Sequence, residues 1–186
     1  MCPGIAGYRA FRLAELQSGE KLGLYGFGPT ATYVLQVAQH KNIDVYVITR
    51  SEKNRTAAKQ IGAYWVGGYD DKIPDKLDGS IIFPPAGNLV SYALSQLESS
   101  GRLVLGPVTI TPIEINDYNL IWQERSVISL AHITKRDGIE FLDIANQANL
   151  KASIEVFSFN ELPDVLIRVK QGNVKGNAVI KIAEEV

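Results

Sequence analysis

The stretch Gly26-Phe27-Gly28-Pro29-Thr30-Ala31 decides the fold predicted for this chain, because it matches the pattern G-x-G-x-x-A. Gly26 permits a tight turn, and Gly28 has no side chain to keep a pyrophosphate away from the backbone. Ala31 is small enough for a helix to pack closely on the preceding strand. Pro29 suits a first helical turn, where its missing N–H has no partner anyway. The stretch therefore predicts a turn that binds the anionic part of a dinucleotide at a helix N-terminus.

The surroundings of this turn agree with that prediction. An apolar run at 22–25 precedes it as a strand, and helical spacing at 31–40 follows it. Five further strands are predicted at 45–49, 64–66, 80–83, 102–106 and 126–131, with intervening helices at 52–61 and 89–97. Strands that alternate with helices predict a parallel sheet, and strands that are apolar on both sides predict helices on both faces. The expected fold class is α/β, a Rossmann doubly wound six-stranded parallel sheet.

The last part of the chain has a different rhythm. A helix is predicted at 137–149, a strand at 154–159, a helix at 160–170 and a strand at 178–182. We therefore predict a Rossmann dinucleotide-binding domain over 1–150 and a C-terminal strand–helix–strand tail over 151–186.

Composition excludes several classes of function. The 186 residues are 46% hydrophobic, which is enough for a core without disulfide or metal staples. The formal net charge is −1, so no electrostatic footprint indicates a nucleic acid or an anionic membrane as partner. No apolar stretch is long enough to span a bilayer. Cys2 is the single cysteine, which excludes an internal disulfide and favours a reducing, cytoplasmic setting.

The end of the second predicted strand indicates which dinucleotide binds. Sites for NAD usually place Asp or Glu there, about 20 residues after the glycines, to bind the ribose hydroxyls. This chain has Thr49, Arg50 and Ser51 at that point. Arg50 and Ser51 are suited to a 2′-phosphate, and Arg55, one turn further on, adds positive charge. The prediction is that NADP(H) is favoured over NAD(H); the alternative is a solvated helix start with ordinary surface charges.

Six segments in this order resemble the zinc-dependent alcohol dehydrogenases of the medium-chain dehydrogenase/reductase superfamily. They are CPGIAGYRA at 2–10, GLYGFG at 23–28, FPPAG at 83–87, WQERS at 122–126, AHITKRDG at 131–138 and GNVKGNAV at 172–179. The resemblance extends over essentially the whole chain. It implies a cofactor-binding half plus a tail that returns to the catalytic domain, and it implies that the N-terminal GroES-like catalytic part is lacking.

The resemblance also carries roles to individual residues. Cys2 matches a cysteine ligand of the family's catalytic zinc, although one ligand does not make a zinc site. Two strand ends match the segments that line the nicotinamide ribose and ring, and a third segment matches the backbone that meets the carboxamide. The residues are Pro84, Pro85, Ala86, Gly106, Pro107 and Val108 for the strand ends, and Ala131, His132 and Ile133 for the carboxamide segment.

The function expected from the resemblance is that of the NADP(H)-binding portion of an alcohol dehydrogenase. The parent reaction is reversible hydride transfer between an alcohol or aldehyde and the nicotinamide, with zinc polarising the substrate oxygen. We expect the isolated chain not to be catalytically competent. The family's dimers imply a homodimer through the sheet edge, at 119–122 and 126–131. Two alternatives stay open: a stand-alone NADP(H)-binding or redox-sensing module that acts through a partner, and a zinc-free reductase of the same superfamily.

Overall fold

A computed structural model describes residues 2–183, and the chain divides between Leu150 and Lys151 into two compact units. The first unit contains six strands: β1 (Lys21–Tyr25), β2 (Asp44–Ile48), β3 (Trp65–Gly67), β4 (Leu77–Ile82), β5 (Leu97–Leu105) and β6 (Ser126–Ser129). All neighbouring strands are parallel, in the order β3-β2-β1-β4-β5-β6. This strand order is that of the doubly wound dinucleotide-binding fold, so the predicted fold class is confirmed.

Helices cover both faces of this sheet, as predicted. They are α1 (Cys2–Ala14), α2 (Pro29–His40), α3 (Glu52–Ile61), α4 (Asn88–Ser95) and α5 (Lys135–Gln147). Successive residues of β1 point to opposite faces: Leu24 belongs to the apolar cluster with α1, α2 and α5, whereas Tyr25 belongs to the cluster with α4. Two separate cores therefore hold the sheet from both sides.

Helix α1 is an element that the sequence analysis did not predict. Pro3, Gly4 and Gly7 near its start lower its intrinsic helix propensity, which hides the helical pattern. The glycines instead allow close packing: a Cβ on Gly4 would lie 2.3 Å from Cζ of Phe141, and one on Gly7 would lie 2.9 Å from Cγ2 of Val34. Tertiary contacts with α5 and α2 thus stabilise a helix that propensity alone would not indicate.

Several element boundaries also differ from the predictions, two of them for a clear physical reason. Strand β5 begins at Leu97, whereas the sequence predicted a start at 102. The prediction was late because an irregularity in the pairing with β4 and a left-handed Ser100 (φ 60°) interrupt the apolar pattern of the first half of the strand. The helix predicted at 160–170 begins as a 3₁₀ turn at Phe159–Glu161 and becomes α-helical only from Leu162.

A buried carboxylate joins α1 to α5. Asp137 is fully buried; its carboxylate accepts hydrogen bonds from Arg9 (2.8 Å), from Arg12 (2.5 Å) and from the backbone N–H of Thr134 (2.7 Å). Burial by itself raises the pKa of Asp137, but the hydrogen bonds from Thr134 and the Arg9 guanidinium outweigh it and lower the pKa to about 2. Thr134 and Asp137 together form the capping box of α5.

Strand β6 is one of the two outer strands of the sheet, in agreement with the edge that the resemblance implied. The loop before it exposes Trp122, which is 56% accessible and contacts the ring of Tyr118. Arg125 holds this loop by donating hydrogen bonds to four backbone carbonyls, those of Leu97, Glu98, Asn119 and Trp122. The side chain of Arg125 therefore holds the loop that leads into β6.

The second unit is a small strand–helix–strand motif of β7 (Ile154–Ser158), α6 (Leu162–Lys170) and β8 (Asn177–Lys181), with the two strands parallel. Its core centres on Phe157 and Val165. The order of elements is the one predicted for the tail. Among residues 2–183, no helix is both long and apolar enough to cross a membrane.

Candidate functional site

An open cleft of about 510 Å³ lies at the carboxyl ends of the first four strands. This is where open α/β sheets bind their ligands, and the volume falls within the roughly 300–1,000 Å³ that is usual for small-molecule sites. The lining residues come from the turns after β1, β2, β3 and β4 and from α3: Gly26, Phe27, Gly28, Thr49, Arg50, Ser51, Asn54, Tyr69, Phe83 and Pro84. The strand topology therefore gathers segments that are distant in the sequence.

The glycine turn forms the floor of this cleft. Gly26 has a left-handed φ of 80°, and a Cβ there would lie 2.8 Å from the ring of Pro84. Gly28 is different, because a Cβ at this position would meet no protein atom within 4 Å. Gly28 is the N-cap of α2 without a side-chain acceptor, and Pro29 occupies the first helical turn. Backbone N–H groups at this helix N-terminus are thus available to an anion.

The packing behind the turn has the predicted form. Ala31 is fully buried, and a residue of this size lets α2 approach the sheet closely. Thr30 lies in the first turn of α2; its backbone oxygen and its Cγ2 are each 3.1 Å from the position of a Cβ on Gly7 of α1. Helix α1 therefore supports the start of α2 from behind.

The tip of β2 forms one wall of the cleft. Thr49 is buried, and its backbone N–H donates to the carbonyl of Gly67 (2.9 Å). Arg50 is exposed, and Ser51 caps α3 by accepting a hydrogen bond from the backbone N–H of Asn54 (3.3 Å). Arg55 does not line the cleft; its guanidinium donates to backbone carbonyls at this tip.

The electrostatic character of the lining is set by Arg50. Burial raises the pKa of Tyr69, and the positive charge of Arg50 opposes that rise, so the two side chains are close enough to interact. No carboxylate is among the residues that line the cleft. The wall at the end of β2 thus offers a cation and hydrogen-bonding groups to a ligand.

Other residues predicted from the resemblance do not line this cleft. Pro85 and Ala86 follow β4, Gly106 to Val108 follow β5, and Ala131 to Ile133 lie in the exposed loop between β6 and α5. Gly106 donates its N–H to the carbonyl of Ile82 (2.8 Å), and Val108 is 95% exposed. All of them follow the carboxyl ends of parallel strands, so they share the edge of the sheet that carries the cleft. Their roles at the nicotinamide stay predictions.

Three lining residues were not predicted as part of the site: Asn54, Tyr69 and Phe83. Tyr69 follows β3 and Phe83 follows β4, so the rule that ligands bind beyond the carboxyl ends of parallel strands pointed to both positions. Asn54 lies in the first turn of α3, three residues after its N-cap. The position of Asn54 in the first turn of a predicted helix is the feature of the sequence that could have indicated its place in the site.

The residues that the structure describes do not by themselves form a zinc site. Cys2 is exposed at the first residue of α1. Within residues 2–183, no group of three or more His, Cys, Asp or Glu side chains is arranged to hold a metal ion. A structural zinc site takes four ligands and a catalytic one takes three, so the role predicted for Cys2 requires ligands from outside the described residues.

The sheet order, the glycine turn and the cleft define a Rossmann domain of the dinucleotide-binding class. No protein-family model matches the chain. A probable alcohol dehydrogenase, AdhA, of Mycobacterium tuberculosis is 34% identical over 183 residues, which cover 98% of this chain and 53% of that protein. The homologues of the chain are alcohol dehydrogenases of the medium-chain dehydrogenase/reductase family, and the chain spans about half the length of the curated relatives it matches.

Two solved structures share the fold of this chain. A cinnamyl alcohol dehydrogenase from Sorghum bicolor has a TM-score of 0.86 and 25% identity, covering 99% of this chain and 56% of its own. A cinnamyl alcohol dehydrogenase from Helicobacter pylori, solved with NADP(H), has a TM-score of 0.80 and 21% identity, over 96% of this chain and 52% of its own. The second comparison shows the shared fold alone.

Proposed function

We propose that this chain is the NADP(H)-binding part of an alcohol dehydrogenase. The observation that carries the proposal is the cleft itself, whose floor is the glycine turn and whose β2 wall presents Arg50 and Ser51 without a carboxylate. The open space above Gly28 admits a pyrophosphate to the N-terminus of α2. The cofactor therefore fits the residues that are present.

The preference for NADP(H) rests on charge at the tip of β2. A carboxylate there would bind the two ribose hydroxyls of NAD(H) and repel a 2′-phosphate. Arg50 and the Ser51 hydroxyl instead suit a phosphate dianion, which forms short, strong hydrogen bonds with guanidinium groups. The Helicobacter pylori enzyme holds NADP(H) but shares only the fold with this chain, so the argument depends on Arg50 rather than on that complex.

The wider reaction is proposed from the relatives. It is reversible hydride transfer between an alcohol and an aldehyde, in which this chain holds and orients the cofactor. In the complete enzyme the metal would polarise the substrate oxygen, and this chain would contribute Cys2 to its ligands. We propose that turnover needs groups beyond this chain, that copies associate through the β6 edge as a homodimer, and that the single cysteine reflects a reducing, cytoplasmic setting.

Titration of the chain with NADPH tests the proposal, with Trp65 and Trp122 fluorescence and calorimetry as readouts. Saturable binding is expected for the unaltered chain. Arg50→Asp should weaken NADPH binding about 100-fold, because it removes a charged hydrogen bond and places a carboxylate beside the phosphate. NADH, which has no 2′-phosphate, should lose no more than about twofold in affinity.

Lys72→Asp is the control, since it makes the same change of charge on an exposed residue outside the cleft lining. It should leave the affinity for both cofactors within about twofold of the original. Equal losses for NADPH and NADH in Arg50→Asp would contradict the phosphate contact. An unaltered chain that gives neither a fluorescence change nor heat would contradict cofactor binding altogether.

A further inference from the structure

Arg55 has an unusual position for a residue expected to bind a phosphate. It lies on the first turn of α3, yet its Nη1 donates to the carbonyl oxygen of Thr49 (2.9 Å) and to that of Arg50 (3.0 Å). One nitrogen therefore bridges two successive carbonyls at the tip of β2. The same Nη1 is 3.7 Å from the position that a Cβ on Gly68 would take, so it lies between the turns that follow β2 and β3.

The side chain of Arg50 has different surroundings. It is exposed, lines the cleft and makes no hydrogen bond or ion pair with the residues that the structure describes. The backbone that carries it is fixed on both sides: Thr49 donates to Gly67, and Ser51 caps α3. Arg55 adds a third attachment, directly on the carbonyls of Thr49 and Arg50. The two arginines thus have separate positions, one in the cleft and one behind its wall.

We propose that Arg55 is a positioning residue that sets the selectivity for NADP(H) by holding the backbone of Arg50, and that it is not itself a ligand of the 2′-phosphate. This inference rests on the proposed function and changes the role that the sequence predicted for Arg55. An arginine is suited to the task because its guanidinium stays charged at all relevant pH values and its N–H groups point in fixed directions.

The hydrogen bonds from Arg55 also affect the electrostatic potential at the β2 wall of the cleft. Two backbone carbonyls beside an approaching phosphate would repel it with their partial negative charge. The Nη1 group of Arg55 satisfies both carbonyls, so the turn presents Arg50 and Ser51 to the ligand. NADH makes no use of a cation at this point, so the loss of Arg55 should affect NADPH much more than NADH.

A double-mutant cycle on the full chain tests this role. The variants are Arg50→Gln, Arg55→Gln and the combination of both, and the readouts are the dissociation constants for NADPH and NADH. We expect each single variant to weaken NADPH about tenfold, the scale of one charged hydrogen bond, and NADH by less than about twofold. In the Arg50→Gln background, Arg55→Gln should cost less than about twofold, because the residue through which it acts is already absent.

Lys59→Gln is the matched control, since it removes a positive charge from the exposed last turn of the same helix and should change neither constant. Arg55→Lys keeps the charge and tests the geometry separately: a positioning role predicts a loss of selectivity although the charge remains. Additive losses in the cycle would overturn the inference by showing that Arg55 binds the phosphate independently. So would equal losses for both cofactors, which indicate a general structural role.

These outcomes are distinct from failure of the proposed function. An unaltered chain that binds no dinucleotide contradicts both proposals. Tight NADPH binding that depends on Arg50 but follows an additive cycle contradicts only the role given to Arg55. If Arg55→Gln lowers the melting temperature too far for titration, Arg55→Lys in both backgrounds supplies the same comparison of additivity.

Discussion

At the scale of single residues, Gly26 and Gly28 belong to one turn but lack a side chain for different reasons. Gly26 must be glycine for the fold, because its φ of 80° is left-handed and Pro84 fills the space beside it. Gly28 has an ordinary extended conformation (φ −121°, ψ −168°) and open space above it. Within residues 2–183 no neighbouring atom requires glycine there, so under the proposed function the requirement at Gly28 comes from the pyrophosphate.

Substitution of the two glycines should therefore have opposite effects. Gly28→Asp supplies an N-cap for α2 and a negative charge at its N-terminus, so we expect stability to rise by about 0.5 kcal/mol. The same carboxylate occupies the space of the pyrophosphate and should weaken NADPH at least about 100-fold. Gly26→Ala should lower the free energy of unfolding by about 2–4 kcal/mol through backbone strain and the contact with Pro84.

Urea denaturation and NADPH titration of both variants measure these effects. A Gly28→Asp protein that binds NADPH as tightly as the original would mean that the anion does not lie at this turn. A Gly26→Ala protein of unchanged stability would contradict the strain argument.

At the scale of elements, the sequence predicted those whose pattern is local. The run at 22–25 and the turn after it predicted β1 and α2, and the helix predicted at 52–61 has these bounds as α3, with Ser51 as its N-cap and a left-handed Gly62 as its C-cap. Helix α1 was not predicted, because the partners of Gly4 and Gly7 are Phe141, far along the chain, and Val34. Tyr69 follows a predicted strand, but the sequence analysis assigned no strand order, and it is the order β3-β2-β1 that brings Tyr69 into the same cleft as Arg50.

The contact between α1 and α5 through Asp137 is another feature at this scale that the local sequence pattern does not predict. Its contribution to the free energy of unfolding should depend on pH. The pKa of Asp137 is about 2, below the ordinary value of 3.8, so the stabilisation that it gives is complete above pH 4 and is lost as the pH falls towards 2. This difference corresponds to about 2 kcal/mol. Asp137→Asn should lower stability at neutral pH by about 2–3 kcal/mol, because Arg9 and Arg12 lose a charged partner.

Denaturation at several pH values between 2 and 7 measures this dependence. The Asp137→Asn variant should lack the part of the acid sensitivity between pH 4 and 2 that the carboxylate causes. Asp143→Asn, an exposed position on the same helix, is the control and should change stability by less than about 0.5 kcal/mol. An unchanged acid profile in Asp137→Asn would show that another group is responsible.

At the scale of the whole molecule, the two units differ greatly in how much apolar surface they bury. The first has six strands between two apolar clusters, whereas the second has two strands, one helix and a core around Phe157 and Val165. The second unit also leaves several large apolar side chains exposed: Ile154, Val156, Phe159, Leu166, Ile167, Val169 and Ile182. Two-stranded sheets are marginally stable in water, so cooperative unfolding of both units together is not expected.

Hydrogen exchange should reveal this difference directly. Amides of β7 and β8 should exchange at least about 100-fold faster than those of β1 and β4, because opening the small unit costs less free energy than opening the sheet. Mass spectrometry of peptic peptides from both regions gives the comparison. Equal protection of the two regions would mean that both units unfold as one.

The close contact between Gly26 and the ring of Pro84 has a consequence for how such a site diverges between relatives. At Gly26 the floor of the cleft has no space for a side chain, so a substitution there lowers the stability of the fold as well as changing the site. The wall is built from the long, exposed side chain of Arg50 and the aromatic ring of Tyr69, which substitution can exchange at little cost in stability. Evolutionary changes of nucleotide preference are therefore expected at wall residues such as Arg50 and Tyr69, whereas Gly26 is expected to remain glycine.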